Sequence, residues 1–478
     1  MGGFHEIAAL LREAERGRGT RIPTPFGPRL LHYADLTATG RHLDPVERFV
    51  DALRPVYANT HTAVATTGRV MNGLREEARA AVARSVNAGP EDVVLFTGSG
   101  ATAAVNKLVG LLGLRIPEPL EREFRLSERI PAGRRPVILV GPYEHHSNVL
   151  PWMESIADVE EVALDARGAI DLDDLRRRAR AAQGRPLVAG AFSAASNVDG
   201  LLTDVAAVAR VLHEEGALAF VDYAAGGPYL PIDMHPADPL ARLDAVFVST
   251  HKFLGGPEGS GVLVAHRDLF RTRTPERPGG GTVDYVSGCR HDLVSALLDH
   301  LFGIQNRAGC SCAGPYGHRL LGISGEVSER FRRLIAAGVV GAKPGWVRVS
   351  LPWYAAPEDV EFTLRAVEFV ADRGDAFVPL YRLDWRDGVW RHREAEVERP
   401  TTLRLDAVAI LAGTPGEPPA PSAAEREAER EGYLAEAVRV ADALDERWRR
   451  EPPAWNRPTG NAEVDALAWF RYVETEGM

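Results

Sequence analysis

Between about residues 90 and 265, short runs of apolar residues alternate with polar loops and helical patterns. The helical pattern is clearest in residues 201–216, where apolar residues recur at 201, 205, 208, 209 and 212 and Gly216 follows as a stop. Continuous apolar strands separated by amphipathic helices are typical of a mainly parallel α/β sheet covered on both faces. We therefore predict strands at VVLF (93–96), PVILV (136–140), PLVAGAF (186–192), ALAFVD (217–222) and DAVFVST (244–250).

The pattern changes twice further along the chain. After Pro278, a helical stretch (291–304), a strand (346–354) and a helix from Pro357 predict a second, smaller α/β domain. Beyond residue 375 the sequence becomes aromatic and basic, and a proline-rich linker at 414–421 precedes a charged helical segment. We predict an N-terminal segment (1–40), a large domain (41–285), a small domain (286–375) and a C-terminal extension (376–478).

Composition and charge exclude several classes of protein. The 478 residues are 45% hydrophobic, and 56 basic against 66 acidic side chains give a net charge of -10. This charge argues against nucleic acid or an acidic membrane as the main partner. No apolar run approaches the roughly 20 residues that span a bilayer, and the first residues lack the features of a secretory signal. We expect a cytoplasmic protein that acts on a small molecule.

The chain has three cysteines, at positions 289, 310 and 312. Three are too few for a disulfide framework, and the pair Cys310 and Cys312 lacks the second ligand pair of a closed zinc site. We therefore predict no metal centre. From their positions alone, these two cysteines could pack as small apolar residues, or one of them could be a reactive thiol.

Ligands of parallel α/β sheets bind beyond the carboxyl ends of the strands, and three features of the sequence lie there. The segment TGSGATAA (97–104) follows a strand and opens a helix, so its backbone N–H groups can bind an anion. It matches neither of the nucleotide-binding glycine patterns. Asp222 ends one strand and Lys252 follows another. The two side chains could form an ion pair, but an amine, an acid and an anion site are also what pyridoxal phosphate requires.

At ten ordered segments spanning roughly residues 30–370, the sequence resembles the class V aminotransferase family of fold-type I pyridoxal-phosphate enzymes. Within that family it is similar to the cysteine desulfurase and selenocysteine lyase branch. The resemblance implies the fold-type I α/β architecture, with a large sheet domain and a smaller C-terminal domain, and a homodimer with shared active sites. The segments are YADLTATG, NTHTAVAT, FTGSGATAAVN, YEHHSNVLPW, SNVDGLLTD, AFVDYAAGGPYLPIDM, STHKFLGGPEGSGVL, GGGT, RAGCSCAGP and VRVSLPWY.

The resemblance implies a role for each residue that matches the family's motifs. Lys252 would form the Schiff base with pyridoxal phosphate and move the α-proton, and Asp222 would pair with the pyridine nitrogen. His145 would stack over the ring, although His145 and His146 could otherwise be structural or metal-binding histidines. The phosphate would be held at Gly100, Ala101, Thr102, Ser249 and His251.

Residues from other segments complete the implied site. Thr282 of GGGT would reach the phosphate in the neighbouring subunit, and Asn197 would contact the phenolic oxygen of the cofactor and the substrate. Arg348 would bind the substrate carboxylate through two parallel hydrogen bonds, the alternative being a buried structural arginine. His61 of NTHTAVAT would also contact the substrate.

The family's cysteine motif aligns with Cys312 and not with Cys310. The thiolate of Cys312 would attack the sulfur of the substrate, so that L-cysteine gives L-alanine and a persulfide that passes to a sulfur-acceptor protein. Cys310 would pack in the loop or serve as a disulfide partner, and Cys289 would be structural.

Two departures from the family pattern leave the substrate and the outcome open. Ala225 stands where the desulfurases commonly have a glutamine, and Ala101 stands where they have a threonine. The alternatives in the same family are a carbon–sulfur β-lyase, a selenocysteine lyase and an epimerase. A β-lyase would not need Cys312 and would release pyruvate and ammonia in place of alanine. A non-catalytic binding scaffold is the alternative from another class, and the intact lysine and aspartate argue against it.

Overall fold

The structure is a computed structural model that describes residues 4–23, 27–60, 64–278, 291–309, 321–352, 355–394, 404–412, 421–468 and 470–477. Its helices, numbered in chain order, are Phe4–Ala14 (α1), Asp44–Leu53 (α2), Thr66–Ser85 (α3), Gly100–Leu111 (α4), Glu118–Phe124 (α5), Leu150–Met153 (α6), Leu172–Ala181 (α7), Val205–Glu214 (α8), His291–Phe302 (α9), Gly325–Ala336 (α10), Pro357–Arg373 (α11), Ala407–Ala412 (α12), Ala423–Arg450 (α13) and Ala462–Leu467 (α14). Its strands are Arg21–Ile22 (β1), Arg29–Leu30 (β2), Asp92–Ser99 (β3), Val137–Val140 (β4), Asp158–Glu161 (β5), Val188–Ser193 (β6), Leu218–Asp222 (β7), Ala245–Ser249 (β8), Ser260–His266 (β9), Arg307–Gly309 (β10), Trp346–Arg348 (β11), Tyr381–Asp384 (β12), Trp390–His392 (β13) and Glu474–Glu476 (β14).

Seven strands form one sheet in the order β3-β9-β8-β7-β6-β4-β5. The five neighbours from β8 to β5 run parallel, whereas β9 is antiparallel to both β3 and β8. The prediction of a mainly parallel sheet is therefore confirmed. Ser193 at the end of β6 pairs in register with Asp222 at the end of β7. The polar residues that follow the apolar segments thus meet at one edge of the sheet.

The central strands of the sheet are buried on both faces, as their continuous apolar sequences predict, whereas the edge strands β3 and β5 are partly exposed. Along β4, Val137 and Leu139 belong to one hydrophobic cluster, while Ile138 and Val140 belong to another. Helices α7 and α8 supply residues to the first cluster, and helix α4 supplies residues to the second. Because successive side chains of a strand point to opposite faces, a strand between two layers of helices has no polar face.

Helix α8 begins later than its apolar pattern indicates. Leu201 lies in the preceding loop, and the Asp204 side chain accepts a hydrogen bond from the N–H of Ala207 at 3.0 Å. This contact satisfies an N–H group of the first turn that has no partner within the helix, so Asp204 sets the N-terminus. At the other end, Gly216 has a φ of +76°, a conformation that glycine adopts without steric penalty.

The chain divides into two compact units. Unit 1 comprises Met1–Asp51, Glu76–Arg277 and Leu405–Thr414, and it contains the seven-stranded sheet. Unit 2 comprises Ala52–Arg75, Pro278–Arg404 and Pro415–Met478, and it contains the pair β10-β11 and the three-stranded sheet β13-β12-β14. The predicted domain boundary at residue 285 lies outside the described residues, so the boundary stays a prediction. Within the described ranges, no helix is long and apolar enough to cross a membrane.

Most of the described part of the C-terminal extension belongs to unit 2, whereas helix α12 belongs to unit 1. Ser422 and Glu425 form a capping box at the start of α13, and strand β14 pairs in parallel with β12. Helix α13 buries Leu434, Ala437 and Leu444 in the same hydrophobic cluster as residues from α9 and α11. The predicted linker falls almost entirely on residues 413–420, outside the described residues.

Substitution of Leu444 by alanine should destabilise the protein by about 2–4 kcal/mol, because it leaves a cavity in a packed core. Leu444 is only 7% exposed within the unit 2 cluster. Val438 on the same helix is 43% exposed and serves as the matched control, for which Val438→Ala should change stability little. The measurement is the free energy of unfolding from urea titration. Equal effects of the two substitutions would contradict the packing of α13 into this core.

Candidate active site

Nine of the predicted cofactor residues line one cavity of about 410 Å³ in unit 1. The cavity lies at the carboxyl ends of β6, β7 and β8, where ligands of parallel sheets bind. The predicted residues that line it are Gly100, Ala101, Thr102, His145, Asn197, Asp222, Ser249, His251 and Lys252. Its other lining residues are Ala38, Ser99, Ser147, Ser193, Ala195, Ala224 and Ala225.

Lys252 lies on the single 3₁₀ turn Thr250–Lys252, directly after strand β8. Burial lowers the pKa of its amine below the ordinary value of 10.5, while the carboxylates of Asp222 and Asp35 act in the opposite direction. A lowered pKa raises the fraction of neutral amine, which is the nucleophilic and basic form. The position thus suits an amine that forms a covalent bond and then transfers a proton.

Asp222 ends strand β7 and is 3% exposed. Its Oδ1 accepts a hydrogen bond from the N–H of Ala224 at 2.8 Å. Burial raises the pKa of Asp222 from 3.8 to about 6, and the charge of Lys252 partly offsets this effect. A buried carboxylate is costly unless a cation lies beside it. The carboxyl group therefore suits a ligand that brings a positive charge, such as a protonated ring nitrogen.

The first turn of helix α4 forms a cup for an anion. Strand β3 runs directly into α4, and Gly100 at the junction has a φ of +59°. A Cβ at Gly100 would lie 2.8 Å from Cε1 of His251 and 3.1 Å from Oγ of Ser249, so a larger residue would clash. The N–H of Ala101 donates to Oγ of Ser249 at 2.8 Å. Such a helix N-terminus, with N–H and hydroxyl groups close together, suits a phosphate.

His145 lies on the turn that follows strand β4. The N–H of Ser147 donates to its Nδ1 at 3.1 Å, and the N–H of Asn148 donates to its carbonyl oxygen at 2.7 Å. The hydroxyl of Thr102 donates to Oγ of Ser147 at 2.7 Å, which links this turn to the start of α4. Burial and the charge of Lys252 lower the pKa of His145, so its ring is neutral at pH 7 and the hydrogen bonds place the ring proton on Nε2.

Residues 33–40 (YADLTATG) are bound to the loop that carries Lys252, a contact that the apolar pattern did not indicate. The hydroxyl of Thr39 and the N–H of Gly40 both donate to the carbonyl oxygen of His251, at 3.1 and 2.9 Å. A Cβ at Gly40 would lie 2.0 Å from the carbonyl oxygen of Phe253. The segment was recognisable only through the family resemblance, because its partners are distant in the sequence.

Of the remaining predicted residues, Arg348 is not among those that line this cavity, and the others fall outside the described residues. Arg348 belongs to unit 2, on strand β11, and lines a cavity of about 250 Å³ with Asn59, Thr67, Gln305, Asn306 and Ser350 among others. His61, Thr282, Cys289, Cys310 and Cys312 fall on segments that the structure does not describe. Among the described residues, no group of three or more His, Cys, Asp and Glu side chains is placed to hold a metal ion.

Part of the chain matches a known protein family, and several known proteins are similar to it. The model of the family described as aminotransferase class-V matches residues 32–292. A probable cysteine desulfurase of Pyrococcus abyssi is 28% identical over 344 residues, which cover 70% of this chain and 78% of that protein. A probable cysteine desulfurase of Staphylococcus epidermidis is 32% identical over 277 residues, and there the match spans 57% of this chain and 60% of the relative.

Among solved structures, the apo cysteine desulfurase of Thermococcus onnurineus matches with a TM-score of 0.42 and 23% identity. The match covers 71% of this chain and 94% of that structure.

Proposed function

We propose that this chain, which belongs to the class V aminotransferase family, is a pyridoxal-phosphate-dependent cysteine desulfurase. The family membership confirms the resemblance stated from the sequence, and members of this family are pyridoxal-phosphate enzymes. The observation that carries the proposal is that Lys252, Asp222 and the first turn of α4 line a single cavity. The proposed reaction takes L-cysteine to L-alanine and leaves the sulfur as a persulfide on Cys312.

The residues of the cavity fit pyridoxal phosphate. The buried carboxyl of Asp222 needs a cation, and a protonated pyridine nitrogen is one. Gly100 lets the start of α4 approach His251 and Ser249 closely, which brings together groups that can bind a phosphate, and the raised fraction of neutral Lys252 amine suits covalent attachment of the cofactor. Pyridoxal phosphate supplies an electron sink that stabilises negative charge at the α-carbon of an amino acid.

Side chains of the cavity would then carry out the remaining steps of the reaction. The amine of Lys252 would carry the α-proton as a general base, a task that needs a pKa near the working pH. His145 would stack over the ring and assist proton transfer. Asn197 lines the same cavity and would contact the substrate. Ala225 leaves the position of the family's glutamine without a polar side chain.

Cys312 would take up the sulfur. Its thiolate would attack the sulfur of the substrate, so that an S–S bond forms as the bond between sulfur and Cβ breaks. The electron pair of the broken bond stays with the carbon skeleton, which gains a proton and leaves as alanine. One thiol and one cysteine thus give one persulfide and one alanine, and no added oxidant is required. Cys310 would have a supporting role only.

Several further features of the proposal rest on the family resemblance. Arg348 and His61 would bind the substrate, with the guanidinium of Arg348 holding the carboxylate. Thr282 would contact the phosphate bound by a second copy of the chain, so the functional form would be a homodimer. The persulfide would pass to a sulfur-acceptor protein in the cytoplasm.

Incubation with L-cysteine tests the proposal through its products. The wild-type protein should form alanine and protein-bound persulfide in equal amounts during the first turnover. Cys312→Ser should form neither above background, because serine cannot accept sulfur as a persulfide. Alanine, pyruvate and persulfide are the three quantities to measure.

Cys310→Ser is the matched control for this experiment, and it should form alanine at a rate close to that of the wild type. Persulfide at the wild-type level on Cys312→Ser would contradict the assignment of the nucleophile. Pyruvate and ammonia as the main products of the wild type would show a β-lyase in place of a desulfurase.

A further inference from the structure

Glu144 is a buried carboxyl group at the edge of the cavity that the proposed chemistry does not use. It directly precedes His145, and it accepts hydrogen bonds from two neighbouring elements. The N–H of Ser193 donates to Oε1 at 2.9 Å, and the hydroxyl of Ser193 donates to Oε2 at 2.6 Å. The side-chain amide of Asn148 donates to Oε2 at 2.8 Å. Glu144 therefore joins the turn that carries His145 to the end of strand β6.

Hydrogen bonds before and after His145 connect the turn to Ser193, through Thr203 on one side and through Glu144 on the other. Before His145, the hydroxyl groups of Tyr143 and Thr203 form a hydrogen bond of 2.9 Å. The Thr203 hydroxyl donates in turn to the carbonyl oxygen of Ser193 at 2.6 Å. After His145, Asn148 is fully buried and joins Glu144 to the turn. The position of the His145 ring thus depends on contacts made by its neighbours.

Ser193, which donates to Glu144, also lies next to Asp222. Ser193 lines the cavity, is 5% exposed and is the register partner of Asp222 across β6 and β7. The N–H of Ala194 also donates to the carbonyl oxygen of Asp222 at 2.9 Å. One carboxyl group is therefore in contact with the strand end beside Asp222 and with the turn that carries His145.

No ion pair joins Glu144 to a lysine or arginine among the described residues. The titratable groups whose charges interact with it are Asp222 from β7 and Tyr143 from its own loop, and His145 follows it in the sequence. Burial raises the pKa of Glu144 to about 7, and the like charge of Asp222 acts in the same direction. The carboxyl group is thus neutral below about pH 7 and becomes an unpaired anion above it.

The surroundings can accommodate both forms. Oδ1 of Asn148 is buried and has no hydrogen-bond partner among the described atoms. A half-turn of the Asn148 amide would present this oxygen to the proton of a neutral Glu144, whereas the present orientation donates to the ionised form.

We propose that Glu144 is a positioning residue, which holds His145 and the strand end beside Asp222 in register through its contacts with Ser193 and Asn148. The proposal rests on the proposed function, in which His145 and Asp222 contact the cofactor. Its expected consequence is a change in the environment of the bound cofactor when Glu144 ionises.

Two substitutions distinguish the role of the Glu144 hydrogen bonds from the role of its charge. Glu144→Gln keeps the size and one accepting oxygen but cannot ionise, and the Asn148 amide can turn to meet it. Glu144→Ala removes the anchor altogether. We expect Glu144→Ala to lower kcat for L-cysteine at least about tenfold at every pH, because it removes the acceptor of three hydrogen bonds and the loss of one such bond to a buried group already has about this effect. Glu144→Gln should match the wild type at pH 6 and diverge from it above pH 7.

The decisive readout is the visible absorbance of the cofactor-bound protein, titrated from pH 5.5 to 9 without substrate. The wild type should show a transition near the pKa of Glu144 that Glu144→Gln lacks. Glu154→Gln, an exposed position after the same turn, is the matched control and should titrate like the wild type. Identical titrations of the wild type and Glu144→Gln would contradict the ionisation of Glu144 as the source of the transition, and a wild-type kcat together with a wild-type cofactor absorbance in Glu144→Ala would overturn the positioning role. Because this titration needs no turnover, it tests Glu144 even if the wild type forms no alanine.

Discussion

Lys252→Ala is expected to lower kcat for L-cysteine by at least about 100-fold, the lower end of what a general base contributes. Lysine occurs in the sequence only at positions 107, 252 and 343. Of the three, Lys252 lines the described cavity, next to Asp222 and the anion cup of α4. The substitution removes both the amine that would hold the cofactor and the base that would move the α-proton. The rate of alanine formation measures the effect.

Two controls test whether the loss of activity is specific to the amine of Lys252. Lys107→Ala removes an amine that forms a partly buried 3.0 Å ion pair with Glu276, neither residue of which lines the cavity, and it should leave the rate unchanged. Added ethylamine should partly restore proton transfer in Lys252→Ala, because a small amine can enter the space that the side chain leaves. In addition, borohydride should bleach the visible absorbance of the wild type but attach no cofactor to the variant. Wild-type turnover by Lys252→Ala would overturn the proposed function.

Five of the seven strands of the large sheet were predictable, mainly because a strand that is buried on both faces is apolar along its whole length, whereas the apolar pattern did not predict β5 and β9. The segments 136–140, 217–222 and 244–250 are continuous apolar runs, and each contains a strand of the sheet. The residues after them meet at one edge for a topological reason, since parallel strands end on the same side. Asp222 and Lys252 could therefore be singled out before any contact was known.

The contacts that hold the site together were not predictable in this way. The hydrogen bond from Thr39 to His251 joins residues 212 positions apart, and no periodic pattern records such a pair. Glu144 was part of a recognised motif, but its burial and its contacts with Ser193 depend on the approach of β6 to the turn after β4. The packing of residues 52–75 within unit 2 likewise has no counterpart in the local pattern.

The C-terminal extension shows a second reason why some contacts could not be predicted from the sequence. Its charged composition predicted a helix, and helix α13 is present at Ala423–Arg450. Its small buried stripe, which includes Ala437 and Ala441, gives little apolar signal against the surrounding charges. Composition alone could not indicate that this helix packs in the core of unit 2, because alanine is common on both faces of helices.

Asp222→Asn should lower kcat by roughly 100-fold, because removal of one partner from a buried charge pair costs about 3 kcal/mol or more. The neutral amide cannot hold a proton on the ring nitrogen of the cofactor, so the electron sink weakens. Asp173→Asn, an exposed position in helix α7, is the control and should leave the rate unchanged. A wild-type rate in Asp222→Asn would contradict the role assigned to this carboxyl.

In the cofactor-free protein, Asp222→Asn should raise the thermal stability. Burial raises the pKa of Asp222 from 3.8 to about 6, so the folded state binds a proton more tightly than the unfolded state. The folding free energy then becomes less favourable as the pH rises from about 4 through 6, at up to about 1.4 kcal/mol per pH unit. Asp222→Asn removes this term, so at pH 7.5 the cofactor-free variant should unfold at a higher temperature than the cofactor-free wild type. Added pyridoxal phosphate should raise the Tm of the wild type more than that of the variant, because only the carboxylate gains a cation. Equal gains in Tm would show that Asp222 and the cofactor do not form a charge pair.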